Sequence, residues 1–470
     1  MEKVGILVVS YGAREAAMID AFSRSQNYDV KLYVVDKQRN PYNLRKATKH
    51  VVVSNLDVNK ICEFAKHNQQ EIDFGIVGPE KPIIEGVRDL VEKETEIPMI
   101  CPTKKCAIEK SKVEQRNLFE KVVPEANPQF RVFDPKNYQS IAELERDVYA
   151  WLDKLGDQVV VKPDAPAAGK GVGVWGDHFK TRKQLLEHFL ANYQHGKVII
   201  EEKIEGEESS FQAFCDGKHL APLPETRDYK RAFDNDKGPN TGGMGSYKDL
   251  GDWLPFMTKT DREKEMAIVN KIFQELRKGN EFGLRGIPFY VAFIHTGRGL
   301  KILENNSRPG DPEIQNLLPI LKDDFVDICF KIIEGTLTHV EFEKKATVVT
   351  YKVPPAYGGF QEAFPEKVKR EEIGTPVNLD EAYGLSSKYG DKIRVYPASM
   401  ELRNNETYAL SSRAVCVVGI GDSIQEARNI SLEGIQAIKG GALWNRTDIA
   451  SSEHIQKSIK HLEQLRRKTF

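Results

Sequence analysis

Little in this 470-residue chain is in excess, and its scarcities narrow the class. Net charge is almost absent: 68 Lys and Arg stand against 69 Asp and Glu, so no bulk field draws the chain to nucleic acid or an anionic membrane. Any phosphate-binding must be local. Long apolar runs are missing as well. None approaches the roughly 20 residues that cross a bilayer, and the amino terminus enters a strand-like run, Val4 to Val9, without a signal-peptide layout, which predicts a cytoplasmic protein. Cysteine is sparse and scattered, six in all, with only Cys101 and Cys106 close together. A C-x4-C pair with no second pair or nearby His is a poor zinc signature and, in a reducing compartment, a poor disulfide. These thiols read as ordinary reduced ones. There is no internal repeat and no low-complexity tract.

What is present is a long chain, more than one core normally supports, so two to four domains are expected. The order of patterns predicts an α/β plus α+β protein in three parts: a parallel α/β domain over 1–103, a two-lobed body over 104–340 with a nucleotide-covering lobe near 120–195, and a carboxyl-terminal α+β domain over 341–470. The first part opens strand-turn-helix, with Val4 to Ser10, the turn Tyr11-Gly12-Ala13 and a helix from Arg14 through Phe22. Strands at Val30 to Val35 and Phe74 to Val77 follow. Ligands of such sheets sit at the carboxyl ends of the strands, which places Gly12, Arg14 and Glu15 on one rim with Gly78, Pro79 and Glu80.

The body carries a strand at Val159 to Lys162 that runs into the glycine-punctuated loop Pro166 to Gly173. Its backbone N–H groups suit a polyphosphate, although it lacks the GK[ST] ending of a Walker A loop. Lys162 is placed as a fixed cation for the phosphates. Ile199 to Ile204, followed by Gly206-Glu207-Glu208-Ser209, has the form of a hinge whose backbone reads a nucleotide base and whose acidic residues hold ribose hydroxyls. Between Thr226 and Tyr247 no helical or strand period is visible, and Met244 and Tyr247 suggest an ordered, substrate-facing loop.

The most informative segment is Leu303 to Gln315. Glu304 and Asn306 are two apart at a strand end, so they share a face, and two oxygen ligands there suit Mg2+ (or Mn2+), which needs few protein ligands beside phosphates and water. The turn that follows, Ser307-Arg308-Pro309-Gly310-Asp311-Pro312-Glu313, is stiffened by two prolines and carries charges of both signs. Arg308 there can hold a carboxylate in a bidentate fork.

Together these segments resemble the ATP-grasp ligases and, within them, the phosphoribosylamine–glycine ligase (glycinamide ribonucleotide synthetase) family of purine biosynthesis. The resemblance spans essentially the whole chain. It is most specific at Asp236 to Gly245 (DKGPNTGGMG) and Arg308 to Gln315 (RPGDPEIQ). Supporting pieces are Ala167 to Val172, Ile200 to Glu202, Gly206 to Ser209, Val77 to Glu80, and the tail Trp444 to Ile449. The resemblance implies that ATP phosphorylates glycine and that the amine of phosphoribosylamine attacks the glycyl phosphate, with small molecules as the only partners. This is positioning and electrostatic catalysis, so no Ser-His or Cys-His nucleophile is needed. Carried over by position, Glu304 and Asn306 bind the metal. Lys112 and Lys162 contact phosphates, and Glu201, Ile204 and either Glu207 or Glu208 hold adenosine. Ala168, Gly169, Lys170, Gly171 and Val172 close over the nucleotide. Arg308 and Asp311 bind or orient glycine and the acyl phosphate, and Asn240, Thr241, Gly242, Gly243 and Met244 shape the acceptor site. The chain departs from the family at its first turn, where Ser10-Tyr11-Gly12-Ala13-Arg14-Glu15-Ala16-Ala17 stands for a glycine-rich N-G-G-R-E-H-A, and at Pro309 and Ile314. A methyl at Ala13 would obstruct a backbone contact if that position needed positive φ. The departure motivates a second reading, an ATP-grasp carboxylate–amine ligase with a different amino acid or amine acceptor. A third is a nucleotide-binding regulatory or scaffold protein without turnover.

Overall fold

The computed structural model describes residues 1–164, 171–280 and 282–468. It is a mixed α/β structure. The amino-terminal sheet is parallel, with Lys49–Val52, Tyr28–Asp36, Glu2–Ser10, Phe74–Val77 and Met99–Ile100 side by side in that order. Val4 to Val9 is apolar throughout because both faces of its strand are covered. Ile6 and Val8 pack with Ala16, Ala17 and Phe22 of the helix Ala13–Ser23, whereas Leu7 and Val9 pack with Ile61, Val87 and Val91 of two helices on the other face. Each large apolar side chain so buried contributes about 1.5–3 kcal/mol. The order reverses between Glu2–Ser10 and Phe74–Val77, so a crevice opens at their carboxyl ends, where Gly12 and Gly78 lie.

A four-stranded antiparallel sheet follows, ordered Phe130–Phe133, Val198–Glu202, Val159–Pro163, Gly173–Val174, and backed by the helices Ile141–Leu155 and Arg182–Tyr193. The central sheet is ordered Leu220–Pro222, Glu207–Asp216, Arg285–Thr296, Gly299–Asn306. Its register settles which side chains share a face. Glu208 pairs with Ile294, Ser210 with Ala292, Gln212 with Tyr290, Ala292 with Glu304, and Tyr290 with Asn306, so this set lines one side. On the other side Phe211, Ala213, Val291, Phe293 and Ile302 form a core with the helices Lys112–Val122 and Lys259–Arg277.

The last sheet is ordered Arg227–Asp228, Gly245–Lys248, Ala346–Lys352, Val415–Gly421, Ile393–Pro397. Its first two strands come from before residue 340, so the middle of the chain is stitched into the carboxyl-terminal sheet. The helix Ile424–Ala437 packs on it, and the helix Ser452–Arg467 returns to the central sheet.

Most elements lie within a few residues of their expected places. The stretch from Thr226 to Tyr247 does not behave as expected. It contains the short strands Arg227–Asp228, Arg231–Phe233, Lys237–Asn240 and the start of Gly245–Lys248. Strands of two to four residues have no room to display a period and are held by their partners. Met244 and Tyr247 are buried in the core, at 0% and 1% exposure, so neither side chain faces a substrate. Their bulk serves packing. The six cysteines are free and buried. Among the described residues no helix is long and apolar enough to cross a membrane.

Candidate active site

The rim of the amino-terminal sheet is built around a buried carboxylate. Glu15 reaches back over its own helix start and accepts hydrogen bonds from the backbone N–H of Gly12 (2.8 Å) and Tyr11 (3.1 Å), taking two donors that the helix leaves open. Arg14 donates to it from Nε at 2.6 Å and from Nη1 to the carbonyl of Pro309 at 3.1 Å. Burial raises the Glu15 carboxyl above its ordinary range, against the pull of Arg14 and of the two backbone donors. Gly78, on the neighbouring strand exit, makes this possible, since a Cβ there would overlap the Glu15 carboxylate. Ala13 is the first residue of the helix and is not among the residues with positive φ, so its methyl causes no backbone strain.

The turn after the strand Gly299–Asn306 is held from three parts of the chain. Arg308 Nε lies 3.3 Å from Glu80 and 3.4 Å from Glu109. Burial lifts the Glu109 carboxyl to about 7, with Arg308 opposing and Glu80 adding. Glu109 also accepts from the Ser307 N–H at 2.9 Å. Asp311 accepts from Tyr351 OH (2.6 Å) and Gln315 Nε2 (2.8 Å) and pairs with Arg413 at 3.1 Å. Burial disfavours its charge, but Arg413 and Arg14 outweigh that and keep it ionised. Arg413 donates further to the carbonyls of Gly242 (2.7 Å) and Asp311 (2.9 Å), and the Gly242 N–H donates to Tyr357 OH at 3.0 Å. Thus Gly12 to Glu15, Gly78 to Glu80, the glycine segment through Gly243 and the turn 308–313 meet in one place. Asp311 is occupied by partners from its own chain, which makes it a residue that fixes Arg413 and the turn.

Beside this turn lies a cationic cleft. Glu304 and Asn306 share a face of the central sheet, as their spacing predicts. Burial opposes ionisation of Glu304, but Lys230, Lys162, Lys112 and Arg308 together hold its carboxyl below the ordinary value. It makes no ion pair within 4 Å and Asn306 makes no side-chain hydrogen bond among the described residues. Two unengaged oxygen donors in a cationic field fit a divalent ion carried with polyphosphate. No group of three or more His, Cys, Asp or Glu that could hold a metal occurs among the described residues, so phosphates and water must supply the remaining ligands.

Lys162 and Arg116 both grip the Glu201 carboxylate, Arg116 through Nε at 2.8 Å and Nη2 at 3.1 Å. Burial alone would neutralise Glu201, but these two cations hold it ionised. Its side chain is therefore committed, and its backbone lies between two strands, opposite Phe130 and Val160, so Glu201 offers no open backbone edge to a base; the chain leaves the sheet only at Lys203 and Ile204. The register separates Glu207 from Glu208. Glu208 stands on the Glu304 face and pairs with Lys230 at 2.7 Å. Glu207 stands on the opposite face, joined to Arg227 at 2.5 Å and to His461 at 2.6 Å. Of the covering loop, Gly171 and Val172 are described, Gly171 with φ of 80°; Ala168, Gly169 and Lys170 lie outside the described residues. Asp164, directly after the strand Val159–Pro163, accepts from Ser111 Oγ (2.8 Å) and the Val113 N–H (3.0 Å), tying the end of that strand to the helix that starts at Lys112.

Several residues of the site carry no local signal in the sequence. Arg413 and Tyr351 come from the last sheet, and Glu109, Arg116 and Tyr290 come from stretches without a motif. Asp228 and Lys230 were discoverable as charges two apart at the head of the glycine-rich segment.

Known proteins are similar to this chain in sequence and in fold. Models of the phosphoribosylglycinamide synthetase N domain and ATP-grasp (A) domain match residues 4–109 and 130–314. The phosphoribosylamine–glycine ligase of Methanocella arvoryzae is 36% identical over 464 residues, covering 98% of this chain and 99% of its own. That of Pyrococcus furiosus is 36% identical over 469 residues, 98% of each chain. Among solved structures, the phosphoribosylamine–glycine ligase of Thermotoga maritima superposes with a TM-score of 0.72 at 23% identity, over 95% of this chain and 100% of that one. The biotin carboxylase domain of the Hydrogenobacter thermophilus 2-oxoglutarate carboxylase shares the fold, with a TM-score of 0.67 at 15% identity over 99% of this chain and 98% of its own. Cleft, turn and sequence together place the chain in the phosphoribosylglycinamide synthetase family of ATP-grasp carbon–nitrogen ligases.

Proposed function

We propose that this ligase joins glycine to phosphoribosylamine, giving glycinamide ribonucleotide, ADP and phosphate in purine biosynthesis. The observation that carries the reading is the convergence of the amino-terminal rim, the glycine segment and the Arg308 turn beside a cleft of lysines around Glu304. A carboxylate of glycine, held by Arg308, attacks the γ-phosphorus of ATP and ADP leaves. The amine of phosphoribosylamine then attacks the acyl carbon, the nitrogen loses a proton and phosphate departs. Proximity of three substrates and fixed charge supply the acceleration.

In this reading Lys112, Lys162 and Lys230 face the phosphates. The backbone at Ile204, just past the strand that Glu201 anchors, meets adenine, and Glu208 holds the ribose hydroxyls. Gly171 and Val172, with Ala168, Gly169 and Lys170, cover the nucleotide. Glu304 and Asn306 hold a divalent ion, Mg2+ (or Mn2+), both of which favour such oxygen ligands; when bound, it neutralises charge on the transferring phosphoryl group. Arg14 and Glu15, with Gly12, Gly78, Pro79 and Glu80, form the acceptor rim, and Asn240, Thr241, Gly242 and Gly243 close it from the other side. Asp311 holds Arg413 against that segment. A cytoplasmic location suits an enzyme that draws on ATP. The test is ADP release by purified protein given ATP, Mg2+, glycine and freshly generated phosphoribosylamine. Release that requires both glycine and the amine is expected; none under these conditions would sink the reading.

A further inference from the structure

Besides Glu304, a second carboxylate of the site has no ion-pair partner among the described residues. Asp228, at the end of the strand Arg227–Asp228, makes no ion pair within 4 Å among the described residues, and its Oδ1 is buried without a hydrogen bond. The two nearby cations are taken: Lys230 by Glu208 at 2.7 Å and Arg413 by Asp311 at 3.1 Å. A second carboxylate, Glu313, is 1% exposed and accepts from Ser210 Oγ at 3.1 Å and from Tyr290 OH. Burial first, and Glu313 second, push the Asp228 carboxyl well above its ordinary value, so the pair is short of a positive charge.

An unpaired donor stands at the same turn. Gln212 is fully buried, its Oε1 accepts from the Gly310 N–H at 2.7 Å, and its Nε2 has no partner. It shares a sheet face with Ser210, which binds Glu313, and with Tyr290. Two glycines keep the space small and open: a Cβ on Gly243 would press on Asp228 Oδ1 and Pro312, and one on Gly310 would press on Glu313 Oε2. An acceptor lacking a cation beside Pro312 and a donor lacking an acceptor beside Gly310, both bordering one turn, describe the complement of a small zwitterion.

Resting on the proposed ligase reading, we infer that Asp228, supported by Glu313, receives the ammonium group of the amino-acid substrate, while Gln212 Nε2 and Arg308 serve its carboxylate end. Asp228 thereby makes the amino group a requirement of binding. A carboxylic acid without an ammonium leaves Asp228 buried and uncompensated, and the site rejects it.

The test uses the full-length protein with ATP and Mg2+. Asp228→Asn keeps the shape and removes the charge, relieving its repulsion with Glu313, so the variant folds. The expected result is a KM for glycine raised about 100-fold, the usual scale for losing a charged hydrogen-bond pair, with the KM for ATP within about twofold. Glycolate, with a hydroxyl in place of the ammonium, separates recognition from general loosening. Wild type binds it far more weakly than glycine by competition, and Asp228→Asn narrows that gap at least about tenfold; loosening alone weakens both equally. A glycine KM unchanged in the variant, or an unchanged glycine-to-glycolate ratio, overturns the assignment while leaving the ligase reading intact. Wild type without glycine-dependent ADP release overturns both.

Discussion

Adjacent residues of the strand Glu207–Asp216 live in opposite surroundings. On one side Glu207 is joined to Arg227 and to His461 of the helix Ser452–Arg467, and Ser209 sits 2.6 Å from Glu265 and 2.9 Å from His295, these last three buried under the helix Lys259–Arg277 and beside Phe256. On the other side Glu208 keeps 39% of its side chain exposed, and Glu304 and Asp228 are half-buried in a field of lysines and arginines. Unpaired polar atoms occur on both faces, His295 Nδ1 on one and Gln212 Nε2 on the other. What differs is access. A polar network sealed from solvent sets stability and register, whereas the same residue types facing a cleft leave valences for a ligand to complete.

The two faces can be tested residue by residue. The largest effect is expected at Glu304 on the open side: Glu304→Ala should lower turnover by about a thousandfold or more while the melting temperature moves by only about 2 °C, since the residue serves the ion and the phosphates. Wild-type-like turnover would remove the metal assignment. Next comes Glu208→Gln, for which the KM for ATP should rise about tenfold to a hundredfold with turnover at saturating ATP little changed. Its neighbour gives the opposite signature. Glu207→Gln should cost about 2 kcal/mol in denaturant unfolding, because Arg227 is left buried without its counter-charge, and should leave the KM for ATP within about twofold. If the two glutamates exchanged these signatures, the assignment of faces would be reversed. The smallest effects fall at the two serines. Ser209→Ala should lower stability by about 1 kcal/mol with no kinetic change, and Ser210→Ala, which frees Glu313, should raise the KM for glycine about threefold. Equal kinetic behaviour of the two variants would break the comparison.

Strands with their own apolar pattern were legible in the sequence, from Val4 to Val9 through Leu300 to Glu304, because burial on one or both faces dictates composition. That Glu304 and Asn306 share a face was legible for the same reason, from their spacing alone. Glu207 and Glu208 were not separable, since the phase of alternation is set by which face a partner strand turns to the core, and that strand lies some eighty residues away. Met244 misled because glycines around it suggest a surface loop, while its own side chain is drawn into a core made by the last sheet. Arg413 and Tyr351 join the site by tertiary packing and leave no trace beside Asp311 in the sequence.

Gly78 shows how far a missing group can reach. Its hydrogen occupies the place where a methyl would expel the Glu15 carboxylate; without that carboxylate, Arg14 loses the anchor from which it holds the carbonyl of Pro309. The position of the turn after Asn306 is thus set in part by a missing side chain on the amino-terminal sheet. Substitution at Gly78, a residue with no reactive atom of its own, would be read at the bench as a fault in chemistry.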